Sequence, residues 1–406
     1  MISYRELLAE PGFRRLWLGS TASALGDGAT WIALSWLVYE RTRSPGQLGL
    51  LVFAYGAPVV VGGLAAGPLL DRFGAARVMQ VDSLGRGVAM ASVPIVAAVG
   101  ELPLWTLYCV AASYGLLKMV PLAGVPTLIP SLVRPDRLDA ANAMESLSYG
   151  LSGVAAPMLA GGLIAGIGAV NVLALDAATF FLFAACLHGL GGERQHRGRG
   201  SFGVREGISF LRTNPPVRLT TLMFASFNVG SGALLVLLPI YAATTLGGGA
   251  SLYAALTAAL VAGDLVGSFT IGLIAWRFAL GRSIAAAQAA VGVAFLPMLL
   301  EPGAVATVVL LFLSGLLTSP LTIWAQSLRM RLIPAELRGR VFSLLRTIMQ
   351  SAEPVGGALG GVLIAIGGAT LAVAAIASAI GLPGLVGLRH AALAGPTEQR
   401  RDVTVR

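Results

Sequence analysis

Five charged residues stand deep inside long apolar runs of this chain: Asp27, Arg86, Lys118, Asp264 and Glu353. A charge at the centre of a hydrocarbon layer costs roughly 2.5–3.5 kcal/mol on insertion scales, so groups kept there pair with one another, bind a ligand or carry protons. Lys118 is the only lysine in the chain, and an ammonium can release a proton where a guanidinium cannot. The chemistry open to this set is ion pairing and proton exchange. Covalent catalysis would need a nucleophile with a base and an orienting group, and the sequence shows no such pattern. His188, His196 and His390 are scattered, and Cys109 and Cys186 both fall in apolar runs. No disulfide framework or Cys/His metal site is expected from them. No phosphate-binding glycine loop ending in Gly-Lys-Ser/Thr is present, so ATP is not expected to act directly. No cofactor is expected.

The elements that must hold these charges are membrane spans. Of the 406 residues, 56% are hydrophobic and 12% charged, with a mean hydropathy of +0.80. A soluble chain carries about 25% charged residues, so this composition excludes an ordinary soluble enzyme. A bilayer core needs about 20 apolar residues as helix. Twelve runs meet that need: 16–39, 47–70, 78–99, 104–130, 141–165, 170–190, 219–243, 252–275, 283–300, 304–327, 343–366 and 369–388. The last two are divided only by Gly367 and Gly368. The N-terminus does not read as a cleavable signal peptide, because acidic and basic residues precede a run too long for one. Of the 25 basic residues outside these runs, 23 fall on one side of the alternation, and only Arg41 and Arg43 on the other. The positive-inside rule then puts both termini in the cytoplasm of a multi-pass inner-membrane protein. The formal net charge of +9 is thereby a topology signal, and no nucleic-acid partner is expected.

The chain repeats itself. Gly67-Pro-Leu-Leu-Asp-Arg-Phe-Gly-Ala-Ala-Arg77 matches Gly272-Leu-Ile-Ala-Trp-Arg-Phe-Ala-Leu-Gly-Arg282 at an offset of 205. Gly26-Asp-Gly-Ala29 matches Gly230-Ser-Gly-Ala233 at 204, and residues 161–169 match 361–369 at 200. Six spans repeated in the same orientation predict an all-α membrane protein of two six-helix bundles. These are 1–190 and 219–406, joined by a cytoplasmic linker at 191–218 with an amphipathic helix near 202–213. Small residues four apart let helix backbones approach closely. Such pairs occur at Gly63 and Gly67, Ala156 and Ala160, Gly263 and Gly267, and Gly356 and Gly360. They are expected, with Pro157 and Gly161, where the two bundles meet.

Gly67-x-Leu69-x-Asp71-Arg72-x-Gly74-x-x-Arg77 resembles the signature loop of the major facilitator superfamily. The opening stretch 13–40, together with 135–144 and 205–218, is similar to an exporter-like branch that includes macrolide and tetracycline efflux proteins and the enterobactin exporter. The resemblance implies twelve helices alternating access around a midplane cavity. It implies a latch in which Asp71 meets a helix N-terminus, Arg72 and Arg77 meet acidic groups such as Asp136 or Asp139, and Gly67 and Gly74 allow the turn. Span 5, from Ser152 through Ala156-Pro157 to Gly161-Gly162, also resembles the antiporter motif of proton-driven exporters.

Depth follows from the ~1.5 Å rise per helical residue. Asp27 lies roughly 16 Å into span 1 and Lys118 roughly 21 Å from the outer end of span 4, which predicts a pair that substrate or proton binding breaks. Asp264 and Glu353 lie near the midplane, with Pro354 bending the helix after Glu353. Asp264 is expected to pair with span 5. Asp82 and Arg86, four apart on span 3, read as a structural pair, with Asp82 shallow enough to reach the interface. The aromatics Trp31, Trp36, Tyr55, Tyr114, Phe224 and Phe227 are candidates to line an apolar cavity. The function expected is efflux of an amphipathic organic compound, of the drug or siderophore class, by a monomer driven by the proton gradient. A lysophospholipid flippase or metal exporter of the same fold is the alternative, and a transport-dead membrane sensor a more distant one.

Overall fold

The computed structural model describes residues 4–134, 137–190, 204–273, 278–334 and 337–394. All regular structure among them is helical. In the first part of the chain these helices are α1 (Tyr4–Leu8), α2 (Pro11–Thr42), α3 (Pro45–Phe73), α4 (Ala75–Val99), α5 (Leu104–Leu117), α6 (Met119–Leu128), α7 (Leu138–Ile167) and α8 (Ala169–Leu187). The rest are α9 (Val204–Thr213), α10 (Pro215–Ile240), α11 (Ala250–Leu273), α12 (Leu280–Phe295), α13 (Ala304–Leu332), α14 (Arg338–Gln350) and α15 (Ala352–Arg389).

Among the described residues, ten helical stretches are long and apolar enough to cross a membrane. The expected spans outnumber them for two local reasons. The helix α2 is 32 residues long but is not among the ten, its apolar stretch being interrupted by polar and charged side chains. Residues 344–389 form one continuous stretch, yet Gly368 inside α15 has φ +67° and is not helical. Its repeat counterpart, Gly168, has φ +81° and separates α7 from α8. Both glycines adopt a left-handed backbone that a side chain would strain, so the repeat keeps the same break at the same place.

Prolines interrupt spans where the donor they lack would be needed. Pro121 cannot bond Leu117, and the helix breaks at Lys118 into α5 and α6. Pro354 follows the break at Ser351 between α14 and α15, as expected for the Glu353-Pro354 bend. There Asn228 Nδ2 donates to the Met349 carbonyl at 2.7 Å. The linker helix α9 packs through Phe210 and Leu211 against Val217, Ile333, Val341 and Leu345, with Gly207 buried and Ile208 40% exposed. Of the expected Val204/Ile208/Leu211 stripe, Leu211 thus packs inward and Ile208 does not. Asn214 then caps α10 by accepting from the Val217 N–H at 3.2 Å.

The chain divides into two compact units. One is Met1–Gly198 with Gly248–Ala258, and the other is Arg199–Gly247 with Ala259–Arg406. In the first, α2 packs on α7 and α8, α4 on α8, and α3 on α5. In the second, α10 packs on α15, and α12 on α13 and α15.

Several of the small residues serve packing inside these units. A Cβ at Gly263 would collide with the backbone at Phe312, and one at Gly267 would crowd Leu316 and Ser319, so both lie against α13. Gly356 and Gly360 lie against Val229 and Ala233 of α10. Ala156 is fully buried beside Gly28 of α2. Gly67 sits inside α3 and so does not make the turn, and among the described residues nothing lies within 4 Å of a would-be Cβ there. Gly161 alone of the set reaches α11: its carbonyl accepts from Ser251 Oγ at 3.2 Å, and Ala254 fills the space beside it. That contact joins 248–258 to the first unit, which the predicted boundaries placed in the second. The turn after α3 is made by Gly74, with φ +87° and its N–H on the Leu70 carbonyl. Arg72 is exposed and stacks at 5.1 Å on the Phe73 ring, and Arg77 is exposed. The Asp71 and Asp139 side chains and Asp136 lie outside the described residues. The second basic residue of the following loop, Arg137, bonds Glu6 at 3.2 Å and Glu10 at 3.0 Å.

Candidate functional site

Four helices of the first unit bring a polar cluster together. Arg86 of α4 is fully buried and donates to Asp82 Oδ2 twice, from Nη2 at 2.6 Å and Nε at 3.1 Å. Its Nη1 reaches Asp27 Oδ1 of α2 at 3.4 Å. The guanidinium lies 4.4 Å from the Phe180 ring of α8. Asp176, also of α8 and 2% exposed, accepts from Thr30 Oγ1 at 2.5 Å and Thr179 Oγ1 at 2.9 Å. Tyr114 of α5 donates to the Asp27 carbonyl at 3.3 Å. A fork of five donors on one planar cation suits this role, because it can hold two carboxylates at once.

Gly26 decides the geometry. A Cβ there would overlap the Asp176 carboxylate and crowd Thr179, so the glycine lets α8 press its acid against α2. The cluster is graded in access. The Arg86 side chain is 0% exposed and Asp82 2%, but Asp27 is 27% exposed. Asp27 is thus the one carboxylate of the Arg86 pair that outside groups can reach, and it is held by the longer contact.

This arrangement corrects two expectations. The cation bonded to Asp27 is Arg86, while Lys118 donates to the Tyr55 hydroxyl and lies 5.1 Å from that ring. Depth fixes the level of a residue along a helix but not the side it faces, and the α5/α6 break turns Lys118 toward α3. Asp82 does not reach an interface; it is 3% exposed and its Oδ1 has no hydrogen-bond partner among the described residues. The aromatic candidates form a ladder here: Trp31 on Tyr55 at 4.9 Å, Tyr55 on Tyr114 at 5.5 Å and Tyr114 on Phe180 at 6.4 Å. The close fit of α3 to α5 that allows this comes from Gly62 and Gly115, where any Cβ would collide with the Leu116 or Tyr55 backbone.

The second unit does not copy the cluster. At the repeat offsets, Asp27, Asp82, Arg86 and Asp176 correspond to Ser231, Ala287, Val291 and Ile380. Gly230 makes room for Ile380 just as Gly26 makes room for Asp176, so the alignment holds in space. Asp264 is exposed, and its Oδ1 accepts from Ser319 Oγ of α13 at 2.7 Å, inside the second unit. Glu353 is half-buried in the first turn of α15.

Two residues were not foreseen. Asp176 is one; its signal was Gly26 four residues before Thr30, facing an acid with its own Thr179. Arg329 is the other, counted as a loop cation but placed inside α13 and 4% exposed. Its guanidinium lies 4.8 Å from the Phe224 ring and its Nη2 meets Met349 Sδ at 3.2 Å, while Nε has no hydrogen bond. Among the described residues no carboxylate meets this cation, and burying a charge without one is costly. Arg329→Met should therefore stabilise the purified protein by ~1–3 kcal/mol, read as a rise of several degrees in thermal midpoint. An unchanged or lower midpoint would contradict an uncompensated charge at this site.

The family model described as "transmembrane secretion effector" matches residues 6–400. The chain belongs to this family of the major facilitator superfamily. It is a transporter and not an enzyme. Over 393 residues, 91% of each chain, this transporter is 29% identical to the multidrug efflux pump Tap of Mycobacterium tuberculosis. It is 26% identical to the enterobactin exporter EntS of Escherichia coli O1:K1 / APEC, covering 94% of this chain and 91% of that one. A bacterial homologue of the iron transporter ferroportin, solved in an inward-facing state, shares its fold at a TM-score of 0.71. That likeness comes with 19% identity and covers 93% of this chain and 99% of the other.

Proposed function

We propose that this transporter exports an amphipathic organic compound in exchange for protons, and that Asp27 is the carboxyl at which the two compete. The observation that carries this reading is the graded cluster: Arg86, Asp82 and Asp176 are sealed, and Asp27 alone of the Arg86 pair is accessible. Two carboxyl groups share one guanidinium and a third, Asp176, lies beside Gly26 next to Asp27, and an excess of buried charge is costly unless neutralised. A proton on the cluster offsets that excess. A cationic group of the substrate at Asp27 offsets it too, so either occupant excludes the need for the other. The confinement of the cluster to the first unit fits one exchange site per chain. The names of Tap and EntS support export, of a drug or a siderophore.

Twelve crossings accompany the reading: α2, the stretches long and apolar enough, and α15 counted twice across Gly368. Both termini and the linker then lie on the cytoplasmic side of the inner membrane, and a monomer alternates access between the two sides. Efflux of a panel that includes ethidium, macrolides and catechol siderophores, in cells stripped of other pumps, tests the function. No effect of the transporter on any of them would sink the export reading. Topology is separately testable in a background without Cys109 and Cys186. A cysteine at Gly248 should react with an impermeant maleimide from outside, and one at Ser201 only after lysis. Equal labelling of both in intact cells would contradict twelve crossings.

A further inference from the structure

Between the first turns of α10 and the last turns of α15 lies a crevice of about 230 Å³. Leu222, Met223 and Val386 wall it, Leu393 closes it, and His390 stands at its edge. Its walls are almost wholly carbon, which suits a hydrocarbon chain and offers nothing to orient a polar solute. Leu222 and Val386 are 56% and 66% exposed on helices that span the membrane, so the crevice is open to lipid. Its edge is cationic. Arg218 stands one turn before Leu222 on α10 and Arg389 three residues after Val386 on α15, so each shares a helix face with an exposed wall residue, and both arginines are exposed. Neither has a carboxylate partner among the described residues; Arg218 donates to the Arg212 carbonyl at 3.3 Å. His390 accepts from the Ala392 N–H on Nδ1 at 3.2 Å, which leaves Nε2 as a donor.

We propose that this crevice binds an anionic glycerophospholipid, with an acyl chain in the apolar cleft and the phosphate on Arg218, Arg389 and His390. A zwitterionic lipid would fill the cleft equally well but set its own cation against two arginines. Each basic residue near a membrane surface contributes ~1 kcal/mol toward an anionic lipid. That is about fivefold in affinity per arginine and about 30-fold for the two together. The proposal needs only that α10 and α15 lie in the bilayer, so it stands apart from the export reading.

The test is competition between phosphatidylglycerol and phosphatidylcholine of identical acyl chains, added in equal amounts to the full-length, delipidated protein and read by native mass spectrometry. The wild type should retain phosphatidylglycerol by roughly 10- to 30-fold. Arg218→Gln with Arg389→Gln, both at exposed positions, should bring the ratio to about one. Leu222→Trp, which fills the cleft from an exposed position, should lower retention of both lipids. Glycerol phosphate at the same concentration should not compete. Equal retention by the wild type, or an undiminished preference in the double variant, would overturn the proposal. Full competition by glycerol phosphate would overturn it too, by reducing the site to a phosphate contact.

Discussion

Arg86→Gln should destabilise the first unit by about 3–5 kcal/mol, the cost of leaving buried carboxylates without their cation. The substitution removes three contacts at once: two to Asp82 and one to Asp27. Asp82 is left sealed at 3% exposure, with one oxygen already unpartnered. Such a loss would appear as poor expression and a lowered thermal midpoint of the solubilised protein. Arg86→Lys should recover only part of it, since an ammonium cannot span both acids as the planar fork does. The double variant Arg86→Leu/Asp82→Leu should recover more, because the sealed carboxylate leaves together with its cation and only the accessible Asp27 loses a partner. Wild-type stability in Arg86→Gln would mean that the cluster does not hold the helices together.

Asp27→Asn should behave differently. The carboxyl is the accessible one, and its contact to Arg86 is the longest of the three. The amide keeps the shape and can still accept from Arg86, so folding should be near normal. What it cannot do is take up and release a proton. Uphill export driven by an imposed pH gradient should fall to background, a loss of at least about 100-fold, while downhill exchange of substrate persists. The comparison of uphill with downhill flux in proteoliposomes separates coupling from simple inactivation. Full uphill transport by Asp27→Asn would move the exchange site elsewhere, with Glu353 and Asp264 next to be tested.

Much of the fold was legible because a membrane imposes a simple rule on sequence. Apolar runs of sufficient length, broken by basic loops on one side, mark the helices, and the repeat fixes equivalent breaks such as Gly168 and Gly368. Helix existence, the Glu353-Pro354 bend, the linker helix and the turn at Gly74 all follow from local composition and stereochemistry. The facing of each span does not. A helix that is apolar all round carries almost no periodic contrast, so depth put Lys118 opposite Asp27 when the cation there is Arg86. For the same reason depth alone could not show that Asp176 of α8 faces Gly26 of α2. What marks the facing is complementarity between distant positions, such as a glycine at 26 for an acid at 176, and a single sequence shows that only once the helices are packed.

Proton exchange at Asp27 is tested most directly by proton release on binding, without any gradient or turnover. A compound identified by the efflux panel is added to the detergent-purified transporter in weak buffer, and the pH change is followed with an indicator dye. The account predicts that the wild type releases protons in proportion to substrate bound, that release disappears in Asp27→Asn, and that the variant still binds the compound. Proton release from Asp27→Asn equal to that of the wild type would contradict it.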